Sequence, residues 1–134
     1  MRRKAEGWKA VRARSRLEGD VFIEDDLTLG KHAFTTSSGG VATETVVPTA
    51  SFLAITITND GDLIRLSETG AQDGQILVVI NVDATAADTV VMDEVAGQQE
   101  QPGNLDISLD QNDTATYMYS SDRSAWLLIS NTNN

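Results

Sequence analysis

From Asp20 onward the chain is a succession of short alternating apolar and polar runs, each closed by turn residues. Alternation with a period of two is the mark of strands with one buried face. Asp20 to Leu29 (DVFIEDDLTL) sets Val21 and Ile23 on one face, with Leu27 and Leu29 continuing after the acids. Lys31 to Gly40 reads as a loop that ends in the flexible Ser37-Ser38-Gly39-Gly40. Thr43 to Val47 is β-branched and stops at Pro48, which has no N–H to give to a ladder.

Phe52 to Thr58 (FLAITIT) predicts a strand with Leu53, Ile55 and Ile57 on one face. Asn59-Asp60-Gly61-Asp62 supplies turn chemistry, and Leu63 to Leu66 returns, which predicts a hairpin. Gln75 to Val82 (QILVVINV) holds five consecutive apolar residues and reads as a central strand covered on both faces. Further strands are expected at Thr89 to Met92, Leu105 to Leu109, Thr114 to Ser120 and Ala125 to Ser130. Gln98 to Asn104 (QQEQPGN) and Ser120 to Ser124 read as polar turns. The pattern predicts an all-β fold, a small antiparallel sandwich or barrel of about eight or nine short strands.

Charge divides the chain where the hydrophobic pattern does. Residues 1–16 carry seven bases against Glu6 alone, a side-chain charge of +6. Residues 17–134 hold Lys31, Arg65 and Arg123 against nineteen acids, or -16, and the two parts give the net -10. The expected organisation is a basic N-terminal arm, 1–16, and an acidic β-domain, 17–134. A split this sharp assigns the arm its own partner. The arm is extended or partly helical: Met1, Ala5 and Trp8 fall near helical spacing, while Gly7 weakens a helix. Fully extended, it reaches about 50 Å, enough to cross a neighbouring subunit. The acidic domain repels nucleic acid and anionic membranes, so neither nucleic acid nor a membrane is the expected partner. The basic start is not followed by an apolar leader stretch, and the longest apolar run, Ile76 to Ile80, is too short to span a bilayer. A soluble protein is expected.

No catalytic constellation stands out. His32 is the sole histidine and reads as an ordinary surface or loop residue. Glu24-Asp25-Asp26 and the Asp110/Asp113 pair have no spacing that separates an acid–base pair from solvated faces and turns. Asp110-Gln111-Asn112-Asp113 offers oxygen ligands, but it lacks the length and distal Glu of a calcium loop, and a tight turn is preferred. Without Cys there is no thiolate metal site or disulfide, and no phosphate-binding glycine loop is present. No cofactor, no metal and no enzymatic activity are expected. Tyr117, Tyr119 and Trp126 are expected to cap an edge of the core. The candidate partner-binding residues are those of the arm: Arg2, Arg3, Lys4, Trp8, Lys9, Arg12, Arg14 and Arg16. Trp8 is the expected buried anchor, because aromatic and Arg residues dominate interface hot spots.

The last thirty residues carry a resemblance. Asn104-Leu-Asp-Ile-Ser-Leu109, Asn112-Asp113-Thr114, the apolar run to Tyr119, a polar turn and Trp126 resemble the closing hairpin of small β-domains in bacteriophage fibres and capsid decorations. Gly70 to Val82 is similar to the preceding strand of such modules, and Asp20 to Gly30 to the short strands that open fibre segments. The resemblance spans about half the chain. It implies a structural virion protein, commonly a homotrimer, attached by its N-terminus to the major capsid protein or another virion protein. The basic arm and the lack of a Gly-rich or heptad shaft depart from a long tail fibre and favour a short knob on the capsid exterior. The expected function is therefore to decorate or cement a viral capsid. The alternative is a fibre or tail knob that binds a receptor or host-surface glycan through loops such as Gln98 to Asn104 or Ser120 to Ser124.

Overall fold

The computed structural model describes residues 29–132, except Ser38 and Ala86. The arm, the boundary at residue 17 and residues 20–28 of the first expected strand lie outside the described residues. The described chain is all-β, with ten strands: β1 (Lys31–Thr35), β2 (Thr43–Val46), β3 (Phe52–Thr56), β4 (Leu63–Leu66), β5 (Ile76–Asn81), β6 (Val90–Met92), β7 (Gln99–Glu100), β8 (Ile107–Leu109), β9 (Thr114–Ser120) and β10 (Ala125–Asn131). They form a six-stranded sheet, in order β1-β3-β5-β9-β10-β7, and a four-stranded sheet, in order β2-β4-β6-β8.

The chain alternates between the sheets at every step from β1 to β9. Successive strands of the larger sheet, β1, β3 and β5, run parallel, as do β2, β4 and β6 in the smaller. The first six strands are therefore three successive coils, each giving one strand to each sheet. Among the described strands antiparallel pairs are β5–β9, β9–β10 and β6–β8, with one antiparallel bridge from Val95 to Gln99. This corrects the expected antiparallel architecture, and with it the hairpin expected at Asn59–Asp62. That turn carries the chain from β3 into the other sheet.

The corner turns because of what surrounds it. Gly61 takes φ 81°, a left-handed conformation that glycine adopts without a Cβ clash. Asp62 N–H closes onto Asn59 O at 3.2 Å, and Leu63 N–H then donates to Ala42 O of the preceding coil at 2.8 Å. Long-range pairing thus takes the strand that a local hairpin would have used.

Inward positions of both sheets contribute to one buried cluster. Leu53, Ile55, Leu77, Val79, Tyr117 and Trp126 come from the larger sheet; Val46, Ile64, Leu66, Val90, Met92 and Leu109 come from the smaller. Full burial of each such side chain stabilises by about 1.5–3 kcal/mol. Tyr117 and Trp126 are completely buried and belong to the centre of the core, not its edge. Tyr119 meets Trp126 edge to face at 5.5 Å. Lys31–Thr35, expected as loop, is a strand, with His32 on it and half-buried beside Phe34. Gln75 to Val82 is not covered on both faces: Leu77 and Val79 are buried, while Ile76 on the opposite side is 44% exposed.

Candidate functional site

None of the eight arm residues assigned to partner binding (Arg2, Arg3, Lys4, Trp8, Lys9, Arg12, Arg14, Arg16) falls among the described residues. What the structure defines is the surface and interior of the acidic body. Fourteen Asp and Glu side chains and three bases lie in residues 29–132. Arg123 holds Glu100 through two hydrogen bonds, 3.0 and 2.8 Å, and Arg65 is paired with Asp93. Among the described residues Lys31 is the one cation without an ion pair. The field of the described body is thus set by carboxylates, with two of its three bases paired to acids and Lys31 alone left to draw in an acidic partner.

Polar side chains in the interior support backbone at the coil corners. Asp62 is fully buried. Its Oδ2 accepts from the Thr36 hydroxyl and from Asn59 N–H at 3.2 Å, and its Oδ1 accepts from Ala42 N–H at 2.9 Å. Burial works to raise its pKa, but the Thr36 hydroxyl and the Ala42, Asn59 and Thr58 amides outweigh it and hold the carboxyl below its ordinary value. The carboxylate is permanently ionised at neutral pH and enclosed by donors, so it is a structural post rather than a proton carrier.

Two further posts act in the same way. Asn81 donates to Asp88 O at 3.0 Å and Leu109 O at 2.9 Å, and accepts from Asp83 N–H at 2.9 Å. Gln99 accepts from Leu66 N–H at 2.7 Å, Gln98 donates to Leu66 O at 3.0 Å, and Gln101 donates to Met92 O at 2.8 Å. The polar run QQEQ, expected as a polar turn, is therefore partly interior and includes strand β7: its amides stitch β7 of the larger sheet to the ends of β4 and β6. The signal available in sequence was three Gln in four residues, side chains that can donate and accept at once. The Trp126 indole N–H adds a fourth tie, to Ser67 O at 3.0 Å.

Near Gln99, the Tyr117 hydroxyl and Gln99 Nε2 complete no hydrogen bond. Burial raises the Tyr117 pKa far above its ordinary range, with the Gln99 carboxamide pulling weakly the other way, and the hydroxyl stays protonated. Asp110 to Asp113 is a tight turn, as expected. Asp113 N–H returns to Asp110 O at 3.0 Å, and Asn112 takes φ 68°. Of the loops expected for glycans, Ser120 to Ser124 comprises the last residue of β9 and the turn 121–124 before β10, and Gln98–Asn104 leaves only its Pro102–Asn104 part exposed.

The outer faces of the two sheets are unlike. On the larger sheet, the register aligns Phe52 with Val78 and Ala54 with Ile80 between β3 and β5, Ile76 with Met118 between β5 and β9, and Met118 with Leu127 between β9 and β10. These positions alternate with the buried ones, so they face outward together. On the smaller sheet the outward rows are Thr43, Leu63, Val91 and Ser108, and Thr45 beside Arg65, which holds Asp93. The larger sheet's outer face sets these apolar side chains among Thr35, Thr56, Thr114 and Thr116, with Lys31 as its charged group, and Ala54 there is covered by its neighbours; the smaller sheet's outer face carries the Arg65–Asp93 pair. No family model matches the sequence, and no similar protein was found among curated proteins.

Proposed function

We propose that the chain is a structural virion protein that decorates or cements a viral capsid, as a homotrimer on the capsid exterior. In this reading residues 1–16 dock onto an acidic site of the major capsid protein or another virion protein. The body is an acidic knob in which the two sheets stack as a sandwich, and no catalytic step is assigned to it. The observation that carries the proposal is the separation of charge. The described body has fourteen acids, and two of its three bases are already bound to acids of the body itself. Attraction to an acidic shell must then come from the seven bases of residues 1–16. The same imbalance keeps bodies from associating beyond their intended partners and from binding nucleic acid.

The test replaces Trp8, Arg12 and Arg14 together (Trp8→Ala, Arg12→Ser, Arg14→Ser) and quantifies the chain on virus particles purified from producing cells. The expected result is loss of particle-bound chain, with an unchanged β-sheet circular dichroism spectrum for the free variant. Undiminished occupancy would reject arm-mediated docking.

A further inference from the structure

We propose that the outer face of the six-stranded sheet is the surface through which copies of this chain bind one another. Phe52, Ile76, Val78, Ile80, Met118 and Leu127 share that face across four adjacent strands. Ile76 is 44% exposed, and the other five are half-buried. With strands about 4.8 Å apart and a rise of about 3.3 Å per residue, the face from β1 to β10 covers roughly 300–400 Å² in projection. The six apolar side chains take part of that area, with Thr114 and Thr116 completing the β9 row, and exposed apolar patches on this scale are often functional.

Charge selects the occupant. The body is strongly acidic, so almost any face of one copy brings carboxylates against the carboxylates of the next. The outward positions of β1, β3, β5, β9 and β10 carry Lys31 at one margin and no acid. Glu100, across from Leu127 at the other margin, is neutralised by Arg123. An uncharged apolar patch can pack against the same patch of other copies about a symmetry axis, and among the described residues it is the one broad face on which like-charged copies can meet without carboxylate repulsion. Strand β5 points the same way. Its five-residue apolar run is the composition of a strand buried on both sides, yet the chain's own core covers only the Leu77/Val79 side. The smaller sheet offers no equivalent, since Arg65 and Asp93 cross its outer face.

This inference rests on the homo-oligomeric part of the proposed function and names its surface. Because the patch is smaller than the roughly 800 Å² per partner of a standard stable interface, association should depend on concentration over about 1–500 µM. The test is sedimentation equilibrium of the full chain over that range, beside Val78→Glu, Met118→Glu and, on the other sheet's outer face, Val91→Glu. The expected result is a mass rising above the 14.4 kDa of one chain for the native protein and for Val91→Glu, with both larger-sheet variants held at one chain. Circular dichroism of each variant confirms that it is folded, and Val78→Thr, which keeps shape without adding charge, should retain association. Larger-sheet variants that assemble like the native chain would overturn the surface while leaving oligomerisation intact. A native chain that stays at one copy throughout would overturn both. Crosslinks from the face to residues 1–28 of the same chain would give the face to the protein's own N-terminal segment and overturn the proposal as well. Docking by the arm is measured separately, on particles, so it can stand or fall independently.

Discussion

The two sheets are built by the same winding and end in opposite surfaces. Both receive one strand from each coil, and both contribute inward residues to the same core. Outward, the larger sheet shows apolar side chains among threonines and no carboxylate on β1, β3, β5, β9 or β10, and the smaller shows Thr43, Thr45, Ser108 and the Arg65–Asp93 pair. Inward positions are constrained alike because each must fill the shared core, whereas outward positions are free to record what each sheet meets. The difference therefore carries information about partners that the core does not.

The largest effect should come from the residue that joins the sheets. Trp126→Ala removes a fully buried indole of the larger sheet and its bond to Ser67 beside the smaller. A loss of about 3–5 kcal/mol is expected in urea unfolding, as a single shift of both fluorescence and circular dichroism transitions. Separation of the two transitions would mean that the sheets are not one cooperative unit.

Asp62 comes next. Asp62→Ala leaves the Thr36 hydroxyl and the Ala42 and Asn59 amides without their acceptor, and should cost about 1–3 kcal/mol. Its folded pKa lies below the unfolded value of 3.8, so the contribution is complete above that value and is lost as pH falls through the lower folded one. Asp62→Asn should flatten the pH dependence of stability in that acid window and leave the slope at neutral pH unchanged. An acid limb of the same steepness in the variant would remove Asp62 as its source. The smallest effect belongs to the polar outer face. Arg65 is 42% exposed, and Arg65→Ala should change stability by no more than about 1 kcal/mol, with the difference shrinking in high salt.

Several strands can be read directly from the chain. FLAITIT alternates, LIRL, QILVVINV, Thr114 to Ser120 and Ala125 to Ser130 stand out as apolar runs bounded by turn residues, and each contains a strand of the fold. Their partners could not be read the same way. The coil has no constant period: Phe52 lies 21 residues beyond its partner Lys31 and Val78 lies 26 beyond Phe52, while Leu63 and Val91 follow theirs by 20 and 28. Without a fixed spacing no repeat shows, and Asn-Asp-Gly looks the same whether it closes a hairpin or turns a coil corner. The Gln98–Gln101 run was hidden for another reason, because burial of an amide is decided by carbonyls and amides supplied from distant strands. The arm stands apart: its charge is plain in the sequence, and its role rests on measurement.

The central claim is that docking resides in the cationic residues 2–16 and not in the body. It is tested most directly by releasing the native chain from purified particles with increasing salt, beside a chain carrying Arg12→Ser and Arg14→Ser. The account predicts salt-dependent release of the native chain and release of the variant at distinctly lower salt, since fewer charge contacts hold it. Release that ignores both salt and the two arginines would contradict it.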